Sequence, residues 1–88
     1  MRVPNFERLF RVPHDHRLVL LRSRERGGAT RSVRWTHELV HRSGAVAARY
    51  ESFCDVDGAG RARSGWRRYD EAGRLSDEQV FPGDWSSH

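Results

Sequence analysis

The chain has 88 residues and a formal net charge of +4 at pH 7, a length that fits one domain and leaves little room for a catalytic cleft between two lobes. A single cysteine excludes a disulfide framework, and no apolar run is long enough for a membrane-spanning helix. Since the charged start of the chain also lacks a secretory signal pattern, we expect a cytoplasmic protein with no membrane partner.

The basic charge is concentrated in the first half of the chain, where every basic residue is arginine. Residues 1–49 hold eleven arginines and four acidic residues, whereas residues 50–88 hold five arginines and eight acidic residues. In a compact domain this asymmetry favours electrostatic docking or head-to-tail self-association. Oppositely charged strands that neutralise each other within one sheet are the alternative, and a homodimer that buries extra apolar surface also stays open.

A short helix followed by strands is predicted from the spacing of the apolar residues. Phe6, Leu9 and Phe10 recur at helical spacing behind a Pro-Asn pair, and Pro13 ends this predicted helical turn. From Arg17 onwards the period becomes two, and turn-forming residues separate the segments. The predicted strands cover residues 17–24, 30–42, 45–54, 61–70 and 74–81.

Short hairpins between these strands decide the fold class, because they cannot make parallel crossovers. We therefore predict a mainly β protein, an antiparallel meander of about five strands with a short N-terminal helical turn, as an open sheet or a small barrel. Residues 1–88 are expected to form a single small β domain, with 1–13 as a helical or irregular lead-in and 82–88 as a tail.

The predicted core is rich in aromatic residues, and strand alternation assigns its faces. In the strand at 30–42 one face carries Val33, Trp35, His37 and Leu39. In the next strand the shared face carries Val46, Ala48, Tyr50, Ser52 and Cys54. A large share of the core is expected from Trp35, Tyr50, Trp66, Tyr69 and Trp85.

Residues 65–81 contain a Gly-Trp pair followed by Tyr-Asp and then by Gly-Arg-Leu. This stretch resembles the variant MORN-type and YD-type β-hairpin repeats of bacterial antitoxin-like and toxin-associated proteins. A weaker echo 29 residues upstream aligns Gly44 with Gly73 but lacks the Tyr-Asp pair. The resemblance implies a repeat-hairpin scaffold without catalysis, and it rests on Gly65, Trp66, Tyr69, Asp70, Gly73, Arg74 and Leu75.

Metal and catalytic chemistry find little support in the sequence. Zinc binding requires that histidines on neighbouring strands converge, and the candidates are His14, His16, His37 and His41. We expect instead that His37 belongs to the core and that residues 55–58 form a β-turn rather than a calcium loop. Cys54 is expected to be buried and unreactive. We predict no metal, no cofactor, no catalytic residue and no enzymatic activity.

The candidate binding site combines arginine with aromatic residues, a combination enriched at protein hot spots and on sheets that stack bases and bind phosphates. The function predicted first is a non-enzymatic protein-interaction module, a regulator, inhibitor or assembly factor. The alternative is a single-stranded nucleic-acid or RNA-binding module. The structural alternative is a solvated face whose arginines pair with Glu25, Glu38 and Glu51, and an enzyme or metal protein ranks after the two binding functions. The predicted partner-binding residues are Arg22, Arg24, Arg26, Arg31, Arg34, Trp66, Arg67, Arg68 and Tyr69.

Overall fold

The computed structural model describes residues 4–84, which form one helix and five strands. Each strand pairs antiparallel with the next one along the chain, so the sheet is a meander with the order β1-β2-β3-β4-β5. The predicted fold class is therefore confirmed, and the sheet is open, with β1 and β5 at its edges. The elements are α1 (Phe6–Leu9), β1 (His16–Arg26), β2 (Arg31–His41), β3 (Val46–Val56), β4 (Ala62–Asp70) and β5 (Leu75–Pro82).

The observed strand limits differ from the predicted ones by one or two residues at most. The difference matters at β5, which includes Pro82, a residue that the sequence placed in the tail. Proline lacks the backbone N–H that an inner strand requires, but an edge strand tolerates it. Trp85, expected in the core, lies outside the described residues. No helix within residues 4–84 is long and apolar enough to cross a membrane.

Three of the four hairpins within residues 4–84 close with the same five-residue turn, at residues 41–45, 57–61 and 70–74. In each turn the N–H of the first residue donates to the carbonyl of the fifth residue, and the N–H of the fourth residue donates to the carbonyl of the first. These hydrogen bonds are 2.8–3.0 Å long. The fourth residue is a glycine with positive φ each time, at Gly44, Gly60 and Gly73. Gly44 and Gly73 thus occupy the same position of the same turn, as does Gly60.

The helix is a single turn that packs on one side of the sheet. Asn5 Oδ1 accepts a hydrogen bond from the backbone N–H of Arg8 at its N-terminus. The ring of Phe6 contacts Trp35 and His37 at centroid distances of 5.3 and 4.5 Å, and the ring of Phe10 stacks on Tyr50 at 3.8 Å. Because four helical residues are too few to be stable in water, these aromatic contacts hold α1 in place.

The core lies between α1 and the centre of the sheet. The predicted face of β2 is confirmed, since Val33, Trp35, His37 and Leu39 are all buried. On β3 the prediction was wrong for Val46, which is 42% exposed because a register shift between Leu39 and Val40 breaks the alternation. The predicted core residues Ala48, Tyr50, Ser52 and Cys54 are buried, whereas Trp66 and Tyr69 are half-buried.

Candidate interaction surface

The sheet has a helix face, which carries α1, and an open face, which no element within residues 4–84 covers. Directly paired residues of antiparallel strands share a face, and successive residues alternate between faces. The nine predicted binding residues are divided accordingly, so they do not form one site. The open face holds Arg22, Arg24, Arg26, Arg34, Arg67 and Tyr69, and the helix face holds Arg31, Trp66 and Arg68.

Phe53 occupies the middle of the open face, where it pairs with Arg34 on β2 and with Gly65 on β4. A Cβ atom on Gly65 would lie 2.9 Å from two ring atoms of Phe53, so the ring uses the space that the glycine leaves. The guanidinium of Arg34 lies 5.1 Å from the centroid of the same ring, a cation–π distance. The aromatic group is thus held between the two neighbouring strands.

Asp55 fixes Arg34 in this position. Its two carboxylate oxygens accept from Arg34 Nη1 at 2.7 Å and from Nη2 at 3.2 Å, and Ser32 Oγ donates to the same carboxylate at 2.9 Å. The hydrogen bond from Arg34 is the largest effect and lowers the pKa of Asp55; burial, the second largest, opposes it, and the hydrogen bond from Ser32 lowers the pKa further. Asp55 therefore stays ionised at neutral pH and orients Arg34 over Phe53.

Arg22, Arg24 and Arg26 form a row on the open side of β1. All three are exposed, and none forms an ion pair with another residue in the described range 4–84. Arg24 also lies directly opposite Arg34, an arrangement of like charges that is unfavourable in isolation. Two further arginines lie near this row, namely Arg34 and Arg63, and Arg63 on β4 pairs with Asp55. Together with the row they make the end of the open face near residues 27–30 strongly basic.

The predicted pairing of arginines with Glu25, Glu38 and Glu51 holds for Glu25 alone within the part of the chain that the structure describes. Glu25 accepts from Arg31 at 3.0 Å, but Arg34 pairs with Asp55, and Arg67 pairs with Glu78 at 3.2 Å. The register of strand pairing places Asp55 and Glu78 within reach of these two arginines. This register is not evident from the sequence.

The opposite end of the open face has acidic character. Here Tyr69 lines a groove of about 530 Å³. Arg49 is the basic residue of the groove lining, and four acidic side chains accompany it. Such a surface repels phosphate groups. The acidic lining residues are Glu38, Glu51, Asp70 and Glu71.

The histidines considered as zinc ligands do not converge. His37 is buried beneath Phe6, and His14 is exposed. His16 and His41 face each other across β1 and β2 and share the carboxylate of Asp15, at 2.7 and 3.4 Å. The hydrogen bond from His16 lowers the pKa of Asp15. Within residues 4–84 no group of three or more histidine, cysteine or acidic side chains is arranged to hold a metal ion.

Two residues of the open face were missed by the sequence reasoning, namely Phe53 in its middle and Arg63 at its basic end. A signal for Phe53 exists, because alternation with the buried Tyr50, Ser52 and Cys54 sends an aromatic side chain to the opposite, polar face. No family model, curated protein or solved structure matches this chain. The resemblance of residues 65–81 to hairpin repeats therefore stays a prediction.

Proposed function

We propose that the chain is a non-enzymatic protein-interaction module that binds an extended, acidic protein segment along the outer edge of β1. The observation that carries this proposal is the row formed by Arg22, Arg24 and Arg26, which projects from an edge strand without an acidic partner within residues 4–84. Unneutralised arginines at alternate positions match acidic side chains at alternate positions of an added strand.

The backbone of β1 supports the same mode of binding. As an edge strand, β1 uses one side of its backbone to pair with β2, and its other side is unpaired in the sheet. A register shift between Leu20 and Arg22 interrupts the strand, but pairing is regular from Arg22 to Arg26. An extended segment added there gains main-chain hydrogen bonds for affinity and arginine contacts for specificity.

A single-stranded nucleic acid is the second candidate partner, because Phe53 lies among arginines and base-stacking surfaces combine these residue types. Two observations argue against a nucleic-acid partner. Arg34, anchored by Asp55, already lies over the ring of Phe53. Tyr69, the other aromatic residue of the open face, lies in the acidic groove. The protein partner is therefore the better supported proposal.

The test uses the full chain, a triple variant and a charge-matched control. The variant replaces Arg22, Arg24 and Arg26 with glutamine. The control replaces three other arginines with glutamine, namely Arg8, Arg42 and Arg74. The side chains of these control residues are exposed and form no ion pair within residues 4–84. Binding of a fluorescent peptide of alternating glutamate and valine is measured by anisotropy. We expect binding to the triple variant to be about tenfold weaker than to the control.

A pull-down in lysate of the source organism, with and without nuclease, distinguishes a protein partner from a nucleic acid. We expect a protein that survives nuclease, is retained by the control and is lost with the triple variant. The proposal is wrong if both variants lose the peptide equally, or if nuclease removes every retained partner. The second of these results supports a nucleic-acid partner instead.

A further inference from the structure

A groove of about 520 Å³ lies on the helix face, between the end of α1 and the strands β4 and β5. It is on the opposite side of the sheet from the arginine row of β1. Its apolar wall is formed by Leu9 and Phe10, and its polar lining includes Arg11, Arg68 and Gln79. The groove therefore combines an aromatic surface with two cationic side chains.

Arg68 is half-buried in this groove and is fixed by neutral groups. Its Nε donates to the hydroxyl of Tyr50 at 3.2 Å, and its Nη1 donates to Oγ of Ser76 at 3.0 Å. Asp77 also lines the groove, but its carboxylate accepts from the backbone N–H of Glu78 and forms no ion pair with Arg68. Asp77 is the cross-strand partner of Arg68, so its carboxylate lies nearby, but Arg68 forms no ion pair within residues 4–84. An oriented guanidinium without an ion-pair partner is suited to an anionic ligand.

Arg11 reaches the groove from a backbone conformation that rarely holds arginine. The helix ends with hydrogen bonds from the N–H of Val12 to the carbonyl of Glu7 and from the N–H of Arg11 to the carbonyl of Arg8. This pattern puts Arg11 at the left-handed position usually taken by glycine. With φ of 51°, Arg11 is the only non-glycine residue of residues 4–84 that has a positive φ. Strain of this kind concentrates at functional sites.

Trp66, which also lines the groove, has an unused hydrogen-bond donor. Its Nε1 is buried and has no hydrogen-bond partner among residues 4–84. Its ring contacts Phe10 edge-on at a centroid distance of 5.5 Å. A ligand that enters beside Phe10 would lie next to the Trp66 ring, so the indole N–H is a sensor of binding in the groove.

We propose that this groove binds a small organic anion, in which a carboxylate or a phosphate monoester is attached to an aromatic or other apolar group. Arg68 and Arg11 contact the anionic oxygens, and the apolar group packs against Phe10. Carboxylates and phosphates share this chemistry because both accept paired hydrogen bonds from guanidinium groups. The site is separate from the one in the proposed function, since it lies on the other face of the sheet.

The test titrates the ¹⁵N-labelled full chain with phenylacetate, with phenyl phosphate and with inorganic phosphate, and follows the indole N–H resonance of Trp66. We expect one of the two aromatic anions to shift this resonance at millimolar concentration and to bind more tightly than inorganic phosphate. A response to phenylacetate identifies a carboxylate ligand, and a response to phenyl phosphate identifies a phosphate ligand. The proposal is overturned if neither shifts the resonance, or if inorganic phosphate binds as tightly as both.

Variants separate binding from folding. Arg68→Gln is expected to weaken binding about tenfold by removing a charged donor. Because Arg68 also bonds Tyr50, the decisive variant is Arg11→Gly, which removes the second cation and places glycine where glycine is preferred. We expect Arg11→Gly to bind several-fold more weakly and to be at least as resistant to urea as the parent chain. Unchanged affinity in Arg11→Gly overturns the assignment, whereas the triple variant of β1 should bind normally.

Discussion

The aromatic ring of Phe53 on β3 lies over Gly65 on β4, and this contact leaves no room for a side chain at residue 65. A Cβ atom there would lie 2.9 Å from the ring and 2.5 Å from the backbone oxygen of Gln79. Gly65→Ala is therefore expected to destabilise the chain by about 1–3 kcal/mol, the usual cost of overpacking. Urea denaturation measures the change. Gly27→Ala is the control, because no atom beyond its chain neighbours lies within 4 Å of its added Cβ, and an equal loss in both would contradict the packing argument.

Trp35 is the largest side chain of the buried face of β2, at 6% exposure, and its ring contacts Phe6 at 5.3 Å. Trp35→Ala is expected to cost about 3–5 kcal/mol, because it removes a buried aromatic group and leaves a cavity. A small domain has little stability in excess of this, so the variant is expected to be partly unfolded. Leu20→Ala, at a residue that is 53% exposed, serves as the control. A loss below about 1 kcal/mol for Trp35→Ala would show that this ring is not part of the core.

His37 makes the stability of the chain depend on pH. Burial lowers the pKa of His37 below 6.5, so the folded chain binds this proton less readily than the unfolded chain. The contribution of His37 to the free energy of unfolding is fully present above its unfolded pKa of about 6.5, and it is lost as the pH falls from there through the lower pKa of the folded chain. Melting curves should show that His37→Phe reduces this loss, whereas His14→Gln, at an exposed position, keeps it. Equal pH dependence in the two variants would rule out His37 as the cause.

The ion pair between Arg34 and Asp55 can be tested by measuring the pKa of Asp55. Since the hydrogen bond from Arg34 is the largest cause of the lowered pKa of Asp55, Arg34→Gln should raise that pKa towards its ordinary value. Ser32→Ala should raise it by a smaller amount, because Ser32 contributes a second and weaker hydrogen bond. Side-chain carboxyl NMR measures both changes. Arg67→Gln, which breaks the separate pair with Glu78, should leave the pKa of Asp55 unchanged.

The affinity for an oligonucleotide distinguishes the two candidate partners. We expect a single-stranded oligonucleotide to bind no tighter than about millimolar at physiological salt, because the acidic groove lies on the same face as the arginine row. If the open face does bind phosphates, the logarithm of the affinity falls with the logarithm of the salt concentration by about 0.7 per contact. Alanine at Arg24 and Arg26 would then make that slope shallower by about one to one and a half. Steep, micromolar binding would reverse the order of the two proposals.

The strands and turns were predictable because their causes are local. Alternation identified the buried face of β2, since residues two apart in a strand point to the same side. Asp57 and Asp70 mark turns in which the carboxylate accepts from the backbone N–H groups two and four residues ahead. Hairpins this short leave sequential antiparallel pairing as the economical topology, so the meander followed from the sequence by itself.

The candidate binding surfaces were decided by the tertiary structure, because they depend on register between distant parts of the chain. Arg34 and Asp55 are 21 residues apart, and their contact exists because β2 and β3 pair in one alignment. Alternation in β4 sends Trp66 and Arg68 to the helix face, away from Arg67 on the open face. A register shift of one residue would exchange the two faces. The sequence by itself therefore determined the strands and the arginine content, whereas long-range pairing determined which arginines share a surface and which lack a carboxylate.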